Sequence, residues 1–99
     1  MAYYIIQFMA QDHESGIYQH LPTTYEATTD INQAKEWFEK AVDNLTKGVL
    51  GNKLISVQEM NRDIFGNIKE AVIQCDKAGY RRGKYLIDLR EYLINPFED

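Results

Sequence analysis

Between Asp30 and Gly48 the apolar residues Ala34, Trp37, Phe38, Ala41, Val42 and Leu45 recur three and four positions apart, the spacing that lines one face of an α-helix. This is the clearest periodic signal in the chain, and a helix with one apolar stripe must bury it against something else. Asp30 can accept from the first-turn amides while Gln33, three residues on, reaches back, and Gly48 after Lys47 supplies a left-handed stop. Glu36, four residues ahead of Lys40, adds an exposed pair of about 0.3 kcal/mol, too small to decide the fold. Trp37 and Phe38 sit mid-stripe, and burial of each ring contributes about 2 kcal/mol. Trp37→Ala is therefore expected to be the most destabilising single change.

What the stripe packs on is readable on either side of it. Residues 2–10, A-Y-Y-I-I-Q-F-M-A, are rich in β-branched and aromatic side chains, with Tyr4, Ile6 and Phe8 on one side of a two-residue alternation. They predict a central strand. A polar cluster from Gln11 to Gly16 predicts a turn, and residues 17–28 read as an edge strand interrupted at Pro22, which has no backbone donor for a central ladder. Residues 53–61 and 68–75 return to strand character, and Gly66 and Asn67 between them suit positive φ, so a hairpin is expected. Near the end, Tyr85, Leu86, Leu89, Tyr92 and Leu93 fit a helical stripe that Asn95-Pro96 would stop, while Y-L-I-D-L also alternates loosely, so a short second helix is favoured over a fifth strand. The expected architecture is one α+β domain over residues 1–99. An antiparallel sheet of about four strands carries one long amphipathic helix and a short C-terminal helix, in the order ββαββα.

Ninety-nine residues suit a single core, and 44% hydrophobic residues suffice to build it. Cys75 is the lone cysteine, which excludes an internal disulfide and any multi-cysteine zinc site. With no run of about 18 apolar residues and no leader-like segment, the sequence reads as cytoplasmic, without a membrane partner.

Catalytic chemistry finds no support. His13 and His20 lack an evident partner set, and Asp12-His13-Glu14 are consecutive residues that a strand would send to alternate faces. Neither a nucleophile elbow nor a phosphate-binding glycine loop occurs. The expectation is a chain with no catalytic residues, no metal and no cofactor.

Charge is more informative. The net charge is −4, and the first 50 residues hold seven acidic side chains against three basic ones. Asp12, Glu14, Glu36, Glu39 and Asp43 are the candidate partner-binding residues of an acidic face, suited to a protein whose own site is basic, such as one that binds nucleic acid. Seven tyrosines supply further interface material at low entropic cost. The alternative lies in residues 77–90, where basic and aromatic groups interleave. There Lys77, Arg81, Arg82 and Lys84 would meet phosphates while Tyr80 and Tyr85 stack bases, making a nucleic-acid-binding module. An exposed sheet edge near Pro22 also permits a homodimer.

In layout, a strand directly after Met1, a second strand running into D-I-N-Q-A-K-E-W-F and then a hairpin, the chain resembles small phage- and mobile-element-encoded accessory proteins, including some anti-CRISPR proteins. That resemblance implies a non-enzymatic protein that binds and blocks a host protein, and it assigns no contact residue.

Overall fold

The computed structural model describes residues 2–11, 17–20, 27–48, 51–61, 63–75 and 83–93. Its elements are β1 (Ala2–Gln11), β2 (Tyr18–His20), α1 (Ile31–Lys47), β3 (Lys53–Glu59), β4 (Asn67–Cys75) and β5 (Gly83–Leu93). The strands form one antiparallel sheet in the order β2-β1-β5-β4-β3. The α+β class expected from the sequence is therefore correct. Among the described residues the sheet has five strands, however, and residues 83–93, expected to form a short helix, are the strand β5.

β5 is a strand because the sheet needs it in the middle. It pairs along its length with β1 on one side, from Ala2 opposite Leu93 to Ala10 opposite Tyr85, and with β4 on the other. Without it both neighbours would present open ladders of N–H and C=O groups. Ile87, Asp88 and Leu89 are buried in succession, so the period-2 burial signal of β5 is blurred there. A stripe at helical spacing was the stronger local cue, and tertiary pairing overrides it.

α1 is capped as predicted at its start, where Asp30 Oδ1 accepts from the Asn32 amide at 2.9 Å. The reciprocal bond falls elsewhere: the Asp30 amide donates to Thr28 Oγ1 at 3.1 Å rather than to Gln33. At the other end Gly48 is right-handed, with φ −82°, and its amide donates to the Asn44 carbonyl. Asn52 adds a second cap there, its Nδ2 donating to the Leu45 carbonyl. The connection thus needs no left-handed residue at Gly48.

The helix lies on the face that carries Tyr4, Ile6 and Phe8 of β1. Ala34, Phe38 and Val42 meet Ile6, Ala71, Ile73, Ile87 and Leu89 in the core, with Trp37, Ala41, Leu45 and Tyr85 packed around it. Phe38, 1% exposed, is the ring at the centre, whereas Trp37 is only partly buried. The expectation that Trp37 dominates is corrected accordingly, since adjacent residues on a helix point 100° apart and only one can aim straight at the sheet.

β1 is central, as expected, and β2 is an edge strand pairing through Met9–His20, Ala10–Gln19 and Gln11–Tyr18. Pro22 lies outside the described residues. β3 and β4 form the expected hairpin. Gly66 takes φ +75°, and a Cβ there would collide with the Glu91 carbonyl of β5, so only glycine fits; Asn67 is already in the strand.

Candidate functional site

On the outward side of α1, Glu36, Glu39 and Asp43 are all exposed. Spaced three and four apart, they make one stripe along the helix. Asp43 lies 3.5 Å from Lys47, an exposed pair that contributes little energy and leaves the stripe acidic. Beside the stripe runs a shallow groove of about 280 Å³, lined by Phe38, Val42 and Val57 with Glu39, Asp43 and Lys69 at its rim. Lys69 Nζ lies 5.3 Å from the Phe38 ring centre and 3.9 Å from Glu59 Oε1. The groove exists because α1 is centred over β1, β5 and β4, and leaves β3 largely uncovered. Leu54, Ile55 and Val57 of that edge strand are about half exposed. A bulge between Leu54 and Ser56 interrupts its pairing with β4, a feature that discourages a further strand from adding to the edge.

The face away from α1 carries a second constellation. Tyr3 and Tyr92, directly opposite on β1 and β5, stack with ring centres 5.4 Å apart and planes 17° from parallel. Gln7 Nε2 donates to the Tyr92 hydroxyl. Next to them Asp88 is 1% exposed, opposite Gln7 on one side and Glu70 on the other. Arg90 donates to Asp88 Oδ2 from both Nε, at 3.3 Å, and Nη2, at 3.1 Å. Oδ1 of Asp88 is buried with no hydrogen-bond partner among the described residues, as is Oδ1 of Asn67. Burial pushes the Asp88 carboxyl above the ordinary aspartate range, against the lowering effect of Arg90, and the nearby Glu70 and Asp63 charges push the same way as burial.

At the end of the β3–β4 hairpin, Ile64 is 93% and Phe65 68% exposed. Their turn is tightly held. Asp63 Oδ1 accepts from the amides of Phe65 at 2.9 Å and Asn67 at 3.1 Å, and the Gly66 amide donates to the Asp63 carbonyl. The Glu91 amide donates to the Gly66 carbonyl, and Arg90 Nη1 to that of Phe65 at 3.1 Å.

Of the residues singled out from sequence, Glu36, Glu39 and Asp43 are brought together, while Asp12 and Glu14 lie outside the described residues. Tyr3 and Tyr92 do not extend the acidic stripe, because their stack is on the opposite side of the sheet, and Tyr4 and Tyr85, on the α1 side, pack against the core. Lys77, Tyr80, Arg81 and Arg82 are also outside the described residues. Lys84 and Tyr85 are placed, and they point to opposite faces of β5: Lys84 is exposed and Tyr85 packs against the core on the α1 side. These two do not form a joint phosphate-and-base site.

Sequence reasoning missed the Asp88–Arg90 pair and the Ile64–Phe65 turn. The first was legible as two opposite charges at i and i+2, which share a face once the segment is a strand. The second was legible as two large apolar residues inside D-I-F-G, where a turn exposes them. No helix among the described residues is long and apolar enough to cross a membrane, and none of these residues form a group of three or more metal-ligating side chains. Comparison with protein-family models, with curated proteins and with solved structures finds no match.

Proposed function

We propose that the chain is a non-enzymatic protein-interaction module that docks onto a basic site of another protein through the outward face of α1. The observation that carries this reading is the stripe of Glu36, Glu39 and Asp43 beside a groove floored by Phe38, Val42 and Val57. Carboxylates at a rim steer a basic partner into place, and an apolar floor supplies the area that holds it. The specific form favoured by the layout is an inhibitor, of phage or mobile-element origin, that occupies the site of a host defence or nucleic-acid-processing protein in the cytoplasm.

The test is an affinity capture from host-like lysate by tagged protein, with and without nuclease. A single protein retained after nuclease treatment, and lost with the Glu36→Lys/Glu39→Lys/Asp43→Lys variant, is the expected result; circular dichroism establishes that the variant is folded. A protein bound equally well by the folded triple variant would refute the acidic face. Recovery of nucleic acid alone would replace this reading with the basic segment of residues 77–90.

A further inference from the structure

We propose that Arg90 is a two-ended clamp whose hold on the Ile64–Phe65 turn depends on whether Asp88 is ionised. The inference is independent of the partner proposed above and rests on the face of the sheet away from α1.

Arg90 is tied at both ends. Its Nε and Nη2 meet one oxygen of Asp88, in the middle of the sheet, while Nη1 meets the Phe65 carbonyl in the turn. A guanidinium is planar and its donors are fixed relative to one another, so the carboxylate that orients one edge also aims the other. The turn has its own internal bonds through Asp63, but its attachment to β5 is through Arg90 to Phe65 and through the Glu91 amide to Gly66. Those two bonds tie to β5 the turn that carries Ile64 and Phe65, the most exposed large apolar side chains among the described residues.

The carboxylate is built to lose its charge. Oδ2 receives both Arg90 bonds, and Oδ1 is buried with no hydrogen-bond partner among the described residues. Among the described residues, the charged groups that act on Asp88 are Arg90 on its own strand, Glu70 across on β4 and Asp63 in the turn; directly opposite on β1 stands the neutral Gln7, which donates to the Tyr92 hydroxyl. One cation therefore stands against two further acids. When a proton binds at Oδ1, the Arg90 link to Oδ2 becomes an ordinary hydrogen bond to a neutral acid, and Arg90 is no longer fixed by charge. The display of Ile64 and Phe65 then loosens on acidification while the sheet stays intact.

Amide hydrogen exchange by nuclear magnetic resonance, corrected for intrinsic rates, tests this on the full chain, with Asp88 titrated in parallel through its carboxyl carbon shift. The Glu91 amide reports docking of the turn onto β5. Its protection is expected to fall about fivefold, the equivalent of one hydrogen bond, along the same titration curve as Asp88, with core amides of Ile73 and Ile87 unchanged. In Asp88→Asn the Glu91 protection should already be low at neutral pH and flat with pH. Glu91 protection that does not follow the Asp88 titration in the native protein overturns the clamp, whether or not the variant folds. So does an Asp88→Asn protein that keeps both full protection and its pH dependence.

Discussion

Asp88 shows how a single residue can be held in place by its neighbours and still be electrostatically uncomfortable. Removing a carboxylate from water costs several kcal/mol, and one arginine bound to one of its oxygens returns only part of that. The direction of its titration has a consequence for stability. Because the native carboxyl binds its proton more readily than the unfolded one, the native state holds more protons just above the ordinary aspartate range. Stability from this group is then present at low pH and lost as pH rises through its native titration. Denaturant unfolding at a series of pH values should show wild type losing stability relative to Asp88→Asn as pH rises through that window. Equal slopes for the two proteins would remove the effect. Arg90 is the less replaceable partner: Arg90→Ala leaves the buried carboxylate unpaired and is expected to destabilise by about 3 kcal/mol at neutral pH, measured by urea unfolding followed through Trp37 fluorescence.

Among the elements, α1 was the most legible and β5 the least, for the same physical reason. A helix on the surface writes its burial as a one-sided stripe, so Ala34, Phe38 and Val42 were readable at their spacing, and Asp30 at its cap. β5 is buried at Ile87, Asp88 and Leu89 in succession, which weakens its alternation, and its apolar residues match a helical stripe as well as a strand. The candidate site divides in the same way. Glu36, Glu39 and Asp43 could be placed on one face from helical geometry alone, whereas the partners of Asp88 come from β1, β4 and the turn, separations that no local pattern records. Even on α1, period could not rank two adjacent rings. With Phe38 at the centre of the core and Trp37 at its margin, Phe38→Ala should destabilise by about 4 kcal/mol, and Trp37→Ala by clearly less. Chemical denaturation monitored by circular dichroism, which does not depend on Trp37 as a probe, measures both. A larger loss for Trp37→Ala would mean that its ring carries more of the packing than its exposure suggests.

For the whole molecule, the sheet order decides more than any one contact. From β1 the chain passes to β2 at one edge, crosses to the far edge through α1, and returns through β3, β4 and β5 to lie against β1 again. The β1–β5 pair therefore joins residues far apart in sequence, Ala2 with Leu93 among them. Long-range pairing of this kind places refolding in the millisecond-to-second range rather than microseconds, which stopped-flow dilution from urea measures directly; a microsecond phase carrying the full amplitude would contradict it. During synthesis the same order imposes a delay. While β5 is still inside the ribosome, β1 is already outside with one long flank bare, and the apolar underside of α1 has only part of its floor. Until residues 83–93 emerge, the nascent chain is a sheet missing its middle, and that interval is when it is most open to chaperones, to proteases and to pairing with another copy of itself.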